Sequence, residues 1–224
     1  MVQISRAATP LPAPGATRAD LTRRRILEAA SRVFQRQGLA ATGMRDIAAE
    51  LGMHVGNLYY YFEDRRDLLA FCQETTLERL LALATRVARA STPADEKLRA
   101  LIAGHVVELN EAVPGSLAHL EVEAIDDHRR PAILARRDAY EESWRRVIED
   151  GVASRVFRRV DPGTAARALL GAVNWTVKWY RAGGERTAAE IGDDFADLLV
   201  GGLLMHRAPK RTPAARRSTR RATR

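Results

Sequence analysis

The residues best suited to chemistry stand together in the run TGMRDIAAELGMHVGNLYYYF, Thr42–Phe62 of a 224-residue chain. Ile47 and Leu51 are spaced i,i+4, and Val55, Leu58 and Phe62 are spaced i,i+3,i+7. Each set makes one apolar edge on a helix too short to be stable alone. Gly52 between them permits a sharp turn, and Ala48 and Ala49 are small enough for two helices to cross closely. With its apolar edge turned inward, the second helix presents His54, Gly56, Asn57, Tyr59, Tyr60 and Tyr61. These are hydrogen-bond donors and aromatic rings, with no carboxylate to repel a phosphate. That chemistry suits phosphate oxygens and base edges. The pattern predicts a helix-turn-helix whose second helix lies in a DNA major groove, with Leu58 and Phe62 in its core.

The elements that must position this segment are all expected to be helices. Leucine, alanine, arginine and glutamate dominate, and β-branched alternation is missing. A first helix follows Asp20 as cap and ends at Gly38, with Leu21, Ile26, Ala29, Ala30, Val33 and Phe34 as its apolar stripe. Short helices follow over about 44–51 and 55–61. Asp64 caps a long one to about residue 89. Start and stop signals then give helices over about 93–112, 116–127, 131–151, 161–183 and 187–206, so nine in all. Residues 1–17 and 207–224 read as disordered tails, 18–66 as the DNA-binding domain and 67–206 as a second, larger domain.

Composition excludes several classes. The longest apolar runs are far shorter than the stretch of about 20 that spans a bilayer, and Met1–Asp20 has no signal-like apolar core. Cys72 is the only cysteine, so no internal disulfide can form. The expectation is a cytoplasmic protein with no membrane partner. The formal net charge of +8 is unevenly placed: residues 1–62 balance at +4, residues 63–206 at −4 and residues 207–224 at +8. A basic tail of that kind adds sequence-independent, salt-sensitive affinity for DNA. No nucleophile elbow, phosphate-cradling glycine loop or paired carboxylate set for a helical-bundle oxidase is present, so no catalytic residue and no cofactor are expected. Glu121, Glu123, Asp126, Asp127 and His128 lie within eight residues. They read as a solvated acidic face with an end-cap histidine rather than a metal site.

The run from about Leu21 to Leu69 resembles the DNA-binding region of the TetR family of bacterial transcriptional regulators. The matching features are Gly38, Thr42, Met44-Arg45-Asp46-Ile47-Ala48, Gly52, Leu58-Tyr59 and Tyr61-Phe62. The resemblance implies an all-α fold, an N-terminal three-helix DNA-binding domain joined to a larger helical domain for ligand binding and dimerisation. It implies that Tyr59 and Arg65 contact phosphates, that Thr42 and Tyr61 contact the backbone further, and that Arg45, Val55, Gly56, Asn57 and Tyr60 face base edges. Departures are visible. Gly43 replaces a common hydroxyl residue, Asp64-Arg65-Arg66 replaces a common Ser/Asn-Lys-Glu, and Val55 can read only a thymine methyl. One of Tyr59, Tyr60 and Tyr61 can equally pack against the first helix. Arg23, Arg24 and Arg25 read either as a phosphate clamp or as a solvated face.

The larger domain is expected to supply the dimer surface and an effector pocket. Leu169, Val173 and Val177 form a row on one of the last two helices. Phe195, Leu199, Gly202 and Leu203 crowd the other. Helices apolar nearly all round need two packing partners, and a second copy of the pair would give a two-fold four-helix interface. His105 and His119 either line the pocket or are hydrogen-bonded histidines of core or surface. Asn174, Trp175, Trp179 and Tyr180 resemble a pattern in family members whose effectors are often CoA thioesters; Trp175 and Trp179 read either as effector contacts or as structural packing. The expected function is a repressor: a homodimer on palindromic double-stranded DNA, with recognition helices roughly 34 Å apart, released by a small apolar or amphipathic effector. The alternatives are a basic DNA-binding protein without ligand control and a helical-bundle enzyme.

Overall fold

A computed structural model describes residues 17–112, 125 and 127–205. Among these residues it is all-α: α1 (Arg18–Gln37), α2 (Met44–Glu50), α3 (Val55–Tyr59), α4 (Arg65–Arg89), α5 (Ala94–Val107) with a π-helical turn over Glu108–Ala112, α6 (Arg130–Ala153), α7 (Pro162–Asn174), α8 (Thr176–Trp179) and α9 (Ala188–Gly201). The expected helix over 116–127 lies outside the described residues apart from its end.

Local chemistry explains most boundaries. Thr17, not Asp20, caps α1. Asp20 is the third residue of a capping box, its carboxylate accepting from the Thr17 N–H at 3.0 Å. Asp64, Asp161 and Thr187 cap α4, α7 and α9 through side-chain oxygens that accept backbone N–H groups. The expected helix over 161–183 is broken after Asn174. The Thr176 hydroxyl donates to the Val173 carbonyl at 2.7 Å, and Tyr180 turns extended at ψ 140°. A side chain that bonds the local backbone weakens the helical ladder there.

α4 joins two cores. At 25 residues it is about 37 Å long. Its first turns bring Leu68, Leu69 and Cys72 against Ile26, Ala30, Phe34, Ile47 and Leu58 of α1–α3. Its far half brings Leu80, Leu83, Ala84 and Val87 into the core of α5, α6, α7 and α9, around Trp144 and Phe157. Ala70 and Leu77 between them pack with Ile125 and Ile133. The recognition segment and the larger domain therefore share one rigid rod. No described helix is long and apolar enough to cross a membrane.

Candidate nucleic-acid interface

α2 and α3 are short and borrow their stability from burial. Ile47 and Leu58 are wholly buried and Phe62 nearly so. Gly52 makes the turn at φ 64°, a conformation that costs a side-chain-bearing residue energy. Asp46 closes the start of α2 by accepting the Gly43 N–H at 2.7 Å. His54 closes the start of α3, its Nδ1 accepting the Gly56 N–H at 3.1 Å.

What remains on the outside is a polar and aromatic face. Arg45, Gly56 and Asn57 are exposed. Tyr60 is 85% exposed and Tyr59 50%. Tyr61 is half-buried against the core of α1–α4, its ring meeting that of Tyr60 edge-on at 5.3 Å, so it is the tyrosine that packs. Val55 is half-buried against the same core.

Two residues expected to touch the DNA backbone have internal partners in the protomer. Thr42 is buried, and its hydroxyl donates to the Gly38 carbonyl at 2.8 Å. Arg65 donates from Nε to the Thr42 carbonyl at 2.9 Å and from Nη2 to the Leu39 carbonyl at 2.6 Å. Together they pin the turn before α2 to the start of α4. The spacing of the motif gives no sign of this, because the partners are 23 and 26 residues apart. Sequence reasoning also missed two ties. Glu50 receives Arg32 and Arg36 of α1, each at 2.7 Å, and these guanidinium groups hold its carboxyl below the usual range. Asp67 in the first turn of α4 pairs with Arg129, the cap of α6, at 2.8 Å.

In the larger domain the effector expectations land in different places. His105 is fully buried, with Nδ1 3.0 Å from the Tyr140 hydroxyl and Nε2 3.0 Å from Asn174 Oδ1. An amide oxygen only accepts, so Nε2 carries the proton and Tyr140 donates to Nδ1. Both nitrogens are thus occupied within the fold. His119 lies outside the described residues. Trp175 and Trp179 are exposed, and Trp179 stacks on Phe195 with centroids 6.2 Å apart. Trp179, Tyr180, Arg186, Asp194, Phe195 and Leu198 line an open groove of about 460 Å³ on the outer side of α8 and α9.

The dimer expectations need correction at three positions. Leu169, Val173 and Leu203 lie in the protomer's own core. Val177, Phe195 and Leu199 are half-buried against that core, and Gly202 is exposed. Among the large apolar side chains left in the open are Trp175, at 61% exposed, and Leu198, at 74%, with Trp179, Leu134 and Met205. Of the acidic cluster, Asp127 and His128 are described. Both are exposed, and Asp127 pairs with Arg130 at 2.8 Å. No group of metal-ligating side chains occurs among the described residues.

Burial pushes His105 down to about pKa 4, against which the Asn174 bond acts weakly. The unfolded chain then binds the proton more readily than the native one, so stability is full above about pH 6.5 and falls as the pH drops toward 4. Moving from about pH 7 to about pH 5 should lower the unfolding free energy by about 2 kcal/mol through this residue alone. Denaturant melts at the two pH values check it, with His105→Gln expected to shrink the difference.

Comparison with known proteins agrees with this architecture. Residues 26–71 match the model of the tetR family of bacterial regulatory proteins, and residues 91–203 match that of the tetracyclin repressor-like C-terminal domain. The chain belongs to the TetR family of bacterial regulatory proteins and is a DNA-binding transcriptional regulator. It is similar to the HTH-type transcriptional repressor KstR2 of Rhodococcus jostii, 28% identical over 204 residues, which are 87% of this chain and 97% of the relative. Among solved structures it resembles the TetR family regulator PfmR from Thermus thermophilus (31% identity, TM-score 0.72, 81% of this chain and 100% of that one). It also resembles AibR in complex with isovaleryl coenzyme A and operator DNA, at 25% identity and TM-score 0.68 over 81% of this chain and 97% of that one.

Proposed function

We propose that the protein acts in the bacterial cytoplasm as a homodimeric repressor of a palindromic operator, released by a small amphipathic effector of the CoA-thioester class. The observation that carries this is the pairing of two exposed surfaces on one frame. One is the donor and aromatic face of α3; the other is the apolar groove in which Trp179 and Leu198 stand exposed on α8 and α9. The first suits a major groove and the second suits a second copy of the chain. Asn57, Tyr59 and Tyr60 make the DNA contacts, with Arg45 alongside them. Thr42 and Arg65 hold the turn that aims α3.

Effector control follows from the shared rod. A molecule that binds the larger domain more tightly in one setting of α4 shifts the separation of the two recognition helices, and DNA affinity falls by that differential affinity. The likeness to AibR, solved with an acyl-CoA and operator DNA, supports the effector class. The test is a duplex enriched by the protein from a randomised library, then challenged with a panel of CoA thioesters of increasing acyl length. Release of the duplex by at least one thioester, and by none of the free acids at equal concentration, is the expected result. No release by any would sink the effector class.

A further inference from the structure

We infer that the ion pair between Asp67 and Arg129 is a brace that fixes the angle between the DNA-binding head (α1–α3) and the larger domain, which makes Arg129 a positioning residue for the spacing of operator half-sites. The inference rests on the homodimer reading and goes beyond it, since spacing has meaning only for two heads.

The first turn of α4 is a junction. Arg65 holds the turn before α2 through the carbonyls of Leu39 and Thr42. Asp67, two residues on, gives its two carboxylate oxygens to two different parts of the chain. Oδ2 accepts the Glu63 N–H at 3.0 Å, in the link that leaves the helix-turn-helix. Oδ1 receives Nη1 of Arg129 at 2.8 Å, at the cap of α6. One carboxylate therefore ties the exit of the DNA-binding segment to the larger domain. The Asp67 side chain is only 19% exposed, so water and salt screen this pair less than an open surface pair.

Farther along α4, Ala70 and Leu77 are fully buried in a small cluster with Ile125 and Ile133, which flank the start of α6. Apolar contact holds the two helices together but is non-directional. A charge-assisted hydrogen bond between fixed atoms adds direction. The angle matters because α4 is long, about 37 Å. A tilt of about 5° about its far end moves the head by about 3 Å, close to the rise of one base pair. A single rod fixes the distance of the head but not its tilt. The pair to α6 is a second support on a different helix, and two supports fix an angle.

The test uses the full chain and the duplex it enriches from a randomised library, remade with one base pair inserted or removed between the half-sites. Asp67→Asn keeps an oxygen for the Glu63 N–H and gives up the charge; Arg129→Gln gives up the other partner. Removing a carboxylate favours phosphate and removing a guanidinium disfavours it, in both cases equally for every duplex. The readout is therefore the ratio of affinities between spacings, not the affinity itself. The wild-type protein is expected to prefer the enriched spacing by about tenfold or more. Each variant should compress that ratio to about threefold, and the double variant should do no more than either alone, because the two side chains act as one pair. Arg129→Lys, which restores the charge, should keep most of the preference. Ratios that fall additively in the double variant overturn the inference. So does a lower melting temperature with every spacing weakened alike, which makes the pair structural only. A wild-type protein indifferent to spacing overturns the homodimer reading and this inference with it. A wild-type preference that both folded variants retain overturns this inference alone.

Discussion

Gly151→Ala is expected to lower the unfolding free energy by about 3 kcal/mol, although the change is from the poorest ordinary helix former to the best. Gly151 lies in the last turns of α6. On propensity alone, alanine there would stabilise by about 0.5–1 kcal/mol. The tertiary structure reverses the sign. After α6 the chain turns back through Arg155 at φ 60°, and the Phe157 ring folds down onto Gly151. A Cβ would meet Cδ2 and Cε2 of that ring at 2.0 and 2.3 Å. Phe157 cannot step aside. It is 1% exposed in the main core, and its N–H donates to the Gly151 carbonyl at 2.9 Å. The same segment bridges to Leu204, so the distortion reaches the end of the described chain. Gly171 of α7 supplies the contrast, since a Cβ there meets nothing within 4 Å and alanine should stabilise the protomer slightly. Denaturant melts of both variants decide the matter. The double variant Gly151→Ala with Phe157→Leu should recover part of the loss, because the two sites share one clash. A Gly151→Ala protein as stable as the wild type would show that the ring has room to move.

These residues also show what the amino-acid pattern can and cannot disclose. Signals that act over three or four residues were legible: Asp64, Asp161 and Thr187 as caps, Gly52 as the turn, and the paired apolar edges of α2 and α3. Their physics is local, so neighbours in the chain carry all of it. Periodicity revealed that Leu169 and Val173 form an apolar row but not what covers it. The row is the same whether the partner is the protomer's own α5 and α6 or a second copy. Arg65 shows the same limit from the polar side. Its charge and its place at the head of α4 suggest a phosphate, and nothing in the pattern announces its bonds to the carbonyls of Leu39 and Thr42. His105 was a lone histidine on an apolar helix until Tyr140 and Asn174, 35 and 69 residues away, closed around it. Contacts at such separations leave no period in the sequence. The resemblance of Leu21–Leu69 disclosed the family and its DNA-binding domain, since it reaches across the whole motif at once.

Leu198→Glu is expected to separate the two copies of the chain while leaving each protomer folded. Leu198 sits on α9 with about three-quarters of its surface in the open, so the protomer gives it little and loses little when it changes. Its flank already carries Asp194 and Asp197, and glutamate favours the helix as well as leucine does. The cost arises only when two protomers meet. In a two-fold interface each residue enters twice. Burying one leucine is worth about 1.5 kcal/mol or more, so losing two weakens the dimer by about 3 kcal/mol, or roughly a hundredfold. Carboxylates stripped of water at such an interface add to this. Duplex affinity should fall with dimerisation, since a lone recognition helix reads only one half-site. Light scattering over a range of concentrations gives the dissociation constant, and far-ultraviolet dichroism confirms that the helices remain. A Leu198→Glu protein that stays dimeric at every concentration would move the interface away from α8 and α9. The groove between Trp179 and Leu198 would then be open to some other occupant.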